Sequence, residues 1–481
     1  MKRIFCIFAA AAIAALTGCG ANGGAKGGAN SGGERAGEIT VSAYETMRFR
    51  DFLEEAAREF EERNPGTAIK VDTFSAMPEI RLDGNGNVIV DIQDDPQSRA
   101  DYISRVNTGL MSGNGADLYA IDVLPLYKFV GNGSLENLEP YMAGDPGFKR
   151  EDYRGNILEA LRYKDGVWFL PLDYSFNYYA YDTTLVPPET ARRFGPDKAW
   201  SAGELLALGE TLYTGEYKIF SSSASALGQQ LLNEQIARFV DLENKKANFL
   251  DGAFTGMFNS LRVYEESGYI LPEASRAGGD SGGVMPQAVP TDRSFFKLNQ
   301  SASLINQFTR GAGKRMIGRG ASGAVTDDDE IAGIAALADG VVPFSYDKAF
   351  GLNARSENKA LAWAFLKHLL AKESQLSSSS RSEGFSLPLH NEARAERAEM
   401  LLAGAFMIRG GEPLTGQARE RLNLLQKTVE TLSDKINGFT LRDSAIDDMI
   451  RAETRAFFSG SRAPDEAARI LQNKADLYLN E

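Results

Sequence analysis

Apolar positions along this chain follow two rhythms, broken by Gly, Asn and Pro. Ile39-Thr40-Val41 is a short β-prone run. Phe49, Phe52, Leu53, Ala56 and Phe60 then recur three and four residues apart, with Arg and Glu between them. That spacing places one apolar face on a helix. Asn64-Pro65-Gly66 stops it, and Ile69-Lys70-Val71 resumes as a strand. A βαβ opening of this kind predicts a parallel sheet. Ile80 and Leu82, then Val88 to Ile92, flank Asp83-Gly84-Asn85-Gly86-Asn87 and predict a β-hairpin. Tyr102, Val106, Leu110 and Met111 predict a helix ending at Gly113-Asn114-Gly115. Asp117 to Ile121 is the next buried strand.

Further along, Ser201 and Glu204 have the spacing of a capping box, with Trp200 and Leu205 placed as its hydrophobic staple. Trp200 is therefore assigned to the scaffold. Leu361, Ala364, Phe365, His368 and Leu369 mark another amphipathic helix, which makes His368 a packing residue. Leu422, Leu425, Val429, Leu432 and Ile436 form a seam of spacings three and four, closed by Asn437-Gly438. The seam is too short for a coiled coil and reads as a helix packed on its own domain.

The beginning of the chain follows another logic. Lys2 and Arg3 precede the apolar run Ile4 to Leu16, which has the length of a signal-peptide core and is too short to remain as a membrane span. Leu16-Thr17-Gly18-Cys19 resembles the lipobox of bacterial lipoproteins. That resemblance implies removal of residues 1–18 and acyl chains on Cys19, leaving the protein lipid-anchored on the extracytoplasmic face of the cell membrane. The Gly-rich stretch 19–38 cannot bury apolar surface and reads as a flexible tether.

Composition narrows the chemistry. The chain has 481 residues, enough for two or three domains, and a formal charge of −13. Losing Lys2 and Arg3 would make the mature chain more acidic still, which disfavours nucleic acid as a partner. There are two cysteines, Cys6 in the leader and Cys19, and two histidines, His368 and His390. The mature body therefore lacks the material for a disulfide, a Cys nucleophile or a His-rich centre, and neither a metal nor an organic cofactor is expected.

Four blocks, in order, resemble the family 1 extracellular solute-binding proteins of ABC importers. They are the Ile39-Thr40-Val41 opening through Asn64-Pro65-Gly66, and Gly115-Ala116-Asp117-Leu118-Tyr119 with Gly133-Ser134-Leu135-Glu136-Asn137-Leu138. Next come Lys164-Asp165-Gly166-Val167-Trp168-Phe169-Leu170-Pro171 with Asn177-Tyr178-Tyr179-Ala180-Tyr181-Asp182. Ala362-Trp363-Ala364-Phe365-Leu366-Lys367 with Gly384-Phe385-Ser386-Leu387-Pro388-Leu389 completes the set. The resemblance implies an α/β protein of two lobes, each a mostly parallel sheet flanked by helices, joined by a hinge. Lobe one would hold 39–170 plus about 295–344, and lobe two 173–290 plus about 350–481. It further implies a receptor that takes a carbohydrate, with an oligosaccharide expected, to the membrane permease of an ABC importer, with no ATP site of its own.

Ligands of parallel α/β sheets sit beyond the carboxyl ends of strands. This rule selects Tyr44 and Glu45, Asp122 and Tyr127, Asp173, Tyr174, Phe176 and Asn177, and Phe344, Tyr346 and Asp347 as candidate ligand contacts. Aromatic rings beside carboxylates and amides suit a polyhydroxylated ligand, whose C–H faces rest on rings while its hydroxyls pair with fixed acceptors and donors. Sharper motifs fail. Asp83 to Asp94 echoes a calcium loop but has Val88 where Gly is needed, Gly311 to Arg315 lacks the elements of a phosphate loop, and Asp327 to Glu330 reads as a solvated acidic loop. The competing functions are a surface-anchored carboxylate enzyme acting on polysaccharide, and the binding component of a sensory system.

Overall fold

The computed structural model describes residues 37–44, 49–74, 79–82, 88–91, 96–273, 293–308, 328–381, 386–405, 414 and 416–480. The signal segment, Cys19, tether residues 20–36, Glu45, the turn of the early hairpin and Gly311 to Arg315 lie outside the described residues, while Gly37 and Glu38, assigned to the tether, open the first strand.

The opening folds as its pattern predicts. Strand Gly37–Tyr44 pairs in parallel with Thr67–Phe74 across helix Phe49–Arg63, whose apolar stripe is buried. Glu79–Leu82 pairs antiparallel with Val88–Asp91. Helix Pro96–Ser112 buries Tyr102, Val106 and Leu110, whereas Met111 is turned to solvent at 85% exposure.

Two five-stranded sheets organise the molecule. The first runs Thr67–Phe74, Gly37–Tyr44, Leu118–Ala120, Ala349–Leu352, Leu170–Pro171. The second runs Lys218–Phe220, Ser294–Gln300, Asn177–Asp182, Asp329–Ala335, Ala199–Trp200. This is the expected α/β architecture, but each sheet is mixed. Leu118–Ala120 joins Gly37–Tyr44 in parallel, whereas Ala349–Leu352 enters antiparallel to both of its neighbours. In the second sheet Asn177–Asp182 is antiparallel to the strands on either side.

The pairing also corrects the sequence-based allocation of the chain. Ser294–Gln300 and Asp329–Ala335, expected to return to lobe one, flank Asn177–Asp182 in the second sheet. Ala349–Leu352, expected in lobe two, fills the gap in the first sheet between Leu118–Ala120 and Leu170–Pro171. Helices Lys359–Leu369 and Gly416–Ser433 pack on the same core as the first sheet. Of the described C-terminal helices, only Ser444–Phe458 and Pro464–Asn480 go to the other body, where they pack with Leu232, Phe239, Phe254 and Phe258. Local periodicity says that a strand is buried; it does not say which open sheet edge will receive it.

A second correction concerns the acidic run. Asp329 lies within a strand with its side chain fully buried, where Lys297 Nζ donates to it at 2.7 Å. Alternation along the strand turns Asp329 inward, and the facing lysine supplies the countercharge that a buried carboxylate requires.

The capping box is present: Ser201 Oγ accepts from Glu204 N, and the Glu204 carboxylate accepts from Ser201 N at 2.8 Å. His368 packs against Phe60 and Phe365 as a scaffold residue.

Candidate functional site

Among the described residues, the segments 172–176, 336–348 and 434–443 connect the two bodies. These segments lie side by side. Ser175 N donates to Ser345 O at 2.7 Å, and Ser345 N returns a bond to Ser175 O at 2.8 Å. Pro343–Phe344 pairs in parallel with Gly438–Phe439. Short two-residue ladders of this kind allow the bodies to rotate while the connections stay paired, as in hinge closure around a ligand.

A groove lies along this ribbon. One compartment, of about 200 Å³, opens beyond the end of Leu118–Ala120 and is lined by Asp122, Phe344, Tyr346, Phe439 and Leu441. The other, of about 250 Å³, faces the second sheet and is lined by Asn177, Gln229, Gln230, Asn233 and Glu234. Ser345, Thr440 and Arg442 belong to both. Together the compartments fall within the ordinary size of a small-ligand cleft.

Each wall is fixed from behind. Lys348, 7% exposed, holds the floor of the first compartment: its Nζ donates to Asp122 Oδ2 at 2.5 Å and to Tyr44 O at 3.4 Å, and lies 4.8 Å from the centre of the Phe49 ring. Asp122 Oδ1 is buried without a hydrogen-bond partner. Tyr346 rests on Phe169 at 5.1 Å, and Phe439 meets Phe169 edge-on at 5.5 Å. Burial raises the Tyr346 phenol well above its usual range, so it stays protonated and can donate.

In the second compartment the end of helix Ala224–Glu234 supplies the polar groups. Its apolar side carries Leu227, Leu231 and Leu232 to the cores, leaving Gln229, Gln230, Asn233 and Glu234 to the groove. Glu234 accepts from Ala202 N at the start of the capped helix Ala202–Leu212 and from Tyr179 Oη at 3.0 Å. Burial outweighs these bonds and pushes its carboxyl up to about 7. Arg442 spans the junction, donating to Asp447 at 3.0 Å and to Asn233 at 3.3 Å.

The predicted contacts divide. Asp122, Asn177 and Tyr346 are brought together in the groove, as is Phe344. Asp173 and Tyr174 lie in the first connection instead. Asp173 accepts from Asp347 N at 3.0 Å and Ser386 Oγ at 2.7 Å, while the buried Tyr174 hydroxyl meets Ser433 Oγ at 3.3 Å. Burial and the neighbouring Asp347 raise the Asp173 carboxyl above the usual carboxylate range. Tyr44 stacks between Phe74 and Tyr102 in the first core, so only its carbonyl reaches the site. Tyr127 packs in the core built on the last two helices. Gln229, Gln230, Asn233, Glu234, Thr440 and Arg442 were not anticipated; the polar stripe of Gln229 to Glu234 beside three leucines was the readable signal for four of them. Among the described residues, no group of three or more His, Cys, Asp or Glu is arranged to hold a metal ion.

A separate cavity of about 290 Å³ lies among Ile305, Leu387, Ala398, Leu401, Leu425 and Val429. Its walls are mainly apolar, with Asn391, Arg394, Arg397, Gln426 and Glu430 also among its lining.

Residues 83–394 match the sequence profile of the bacterial extracellular solute-binding proteins. The chain belongs to that family. No curated protein matches it by sequence. Among solved structures, this solute-binding protein resembles a family 1 extracellular solute-binding protein from Alicyclobacillus acidocaldarius, with 13% identity and a TM-score of 0.53 over 92% of this chain and 98% of that one. It also resembles a periplasmic oligogalacturonide-binding protein from Yersinia enterocolitica, with 13% identity and a TM-score of 0.52 over 92% and 99%. A de novo designed cysteine esterase reaches a TM-score of 0.54 at 13% identity over 93% and 99%. At such identities the likeness is one of fold, and function has to be argued from the site.

Proposed function

We propose that this solute-binding protein is a lipid-anchored receptor that captures a saccharide in its groove and delivers it, unaltered, to the membrane permease of an ABC importer. The observation that carries the reading is the groove itself: a cluster of aromatic rings beside the Asp122 carboxyl on one side, a row of amides with the Glu234 carboxyl on the other, and a hinge ribbon between them. Rings support the C–H faces of a sugar and the polar row pairs with its hydroxyls. A saccharide bridging both compartments would bind the closed form more tightly than the open one, which is what closure requires. The family agrees with a solute-binding role, and the description of the Yersinia protein as an oligogalacturonide binder agrees with a saccharide ligand. We take the lobes as the two sheets with their flanking helices, rotating about 172–176, 336–348 and 434–443.

Titrating a panel of saccharides should raise the melting temperature by linkage, by several degrees at a hundredfold excess over Kd, and return the sugars uncut. A response to peptides or metal ions alone would refute the carbohydrate assignment, and cleaved sugar would favour an enzyme.

The anchor rests on Leu16-Thr17-Gly18-Cys19 and the tether after it. Cys19→Ser should release the protein from the membrane fraction or block its processing, because durable attachment needs acyl chains. A Cys19→Ser protein that remained processed and membrane-bound would exclude lipidation at this site.

A further inference from the structure

The groove carries more information on the charge of its ligand than on the ligand's stereochemistry. Its ionisable lining, among the described residues, is two carboxyls, Asp122 and Glu234, and one guanidinium, Arg442. Arg442, its side chain 47% exposed, is paired with Asp447 through Nε and donates to Asn233 through Nη2. The one ammonium beneath the floor, Lys348, is committed to Asp122. Each of these cations is thus paired with a carboxylate, and the lining presents no net positive charge to an incoming anion. The free capacity is that of an acceptor: Asp122 Oδ1 is buried at the floor with no donor facing it. The amides of Asn177, Gln229, Gln230 and Asn233 donate and accept without charge.

We propose, on the reading of this groove as a saccharide site, that it selects a neutral saccharide, anchored by a hydroxyl donating to Asp122 Oδ1, and rejects carboxylate-bearing sugars. A uronate would place its charge in a desolvated cleft beside two carboxyls, with both nearby cations already neutralised. Like-charge juxtaposition of that kind is how binding sites exclude wrong ligands. Asp122 supplies the attraction for the right one, since a buried acceptor left unpaired costs more than one that is filled.

The test compares neutral disaccharides (maltose, cellobiose, mannobiose, xylobiose and galactobiose) with digalacturonate, by calorimetry and thermal shift on the mature protein. At least one neutral disaccharide should bind, and at least tenfold more tightly than digalacturonate. Asp122→Asn, which removes the floor carboxylate and frees Lys348, should weaken the neutral sugar at least tenfold and strengthen digalacturonate. Asp447→Asn, outside the groove, should strengthen digalacturonate by freeing Arg442, and so gives the same readout if Asp122→Asn fails to fold. Digalacturonate binding the unmutated protein as tightly as the best neutral sugar would overturn the selectivity and leave a saccharide receptor standing. Silence from every sugar would overturn the receptor reading itself.

Discussion

Glu234 shows how one side chain serves both scaffold and site. Its carboxylate accepts from the start of helix Ala202–Leu212 and from Tyr179, and also lines the groove. Burial raises its pKa from an ordinary 4.5 to about 7, so the folded protein holds this proton more tightly than the unfolded chain. The stabilisation is therefore fully present below about pH 4.5 and is lost as pH rises through about 7. At about 1.4 kcal/mol per unit, the change amounts to roughly 3 kcal/mol. Glu234→Gln has no such proton to lose. Its stability relative to the unmutated protein should rise by up to that amount between pH 5 and pH 8, measured by denaturant unfolding. A difference that stays constant over this range would show that Glu234 does not titrate there.

Individual elements were legible wherever one physical rule dominated. The stripe of helix Phe49–Arg63, the capping box at Ser201 and the parallel pairing around the first helix follow from spacing and cap chemistry alone. Legibility ended where partners distant in sequence decide the outcome. Asp329 looked solvated because Lys297, its countercharge, sits on a different strand of the sheet. Ala349–Leu352 looked like part of the second lobe because nothing local says that the first sheet has a gap awaiting it. The site divided the same way. Strand ends pointed to Asp122, Asn177 and Tyr346, while Arg442 enters from a connection that no strand rule reaches.

For the whole molecule, the open–closed balance depends on contacts outside the groove as well as on the ligand. Arg99, on helix Pro96–Ser112 of the first body, forms an ion pair with Asp448 on helix Ser444–Phe458 of the second. Lys128 Nζ lies 4.0 Å from the centre of the Tyr478 ring. These contacts bind the two bodies together without any ligand. Breaking a pair this buried costs about 2 kcal/mol after allowing for the solvent at Asp448. Arg99→Ala should therefore enlarge the radius of gyration of the unliganded protein in X-ray scattering and weaken saccharide binding severalfold. Identical scattering curves for the two proteins would show that this pair does not hold the bodies closed.

The route of the chain between the sheets also governs how the protein can be made. The first sheet lacks its fourth strand until residue 352 has emerged, and the core of the second body needs helices that end at residue 480. The first body therefore cannot close over its apolar surface until most of the chain has been made, and the second needs the last two described helices. A polypeptide whose cores close this late stays threadable through most of its synthesis, which suits the extracellular setting of its family. It also means that no single cut yields two working halves.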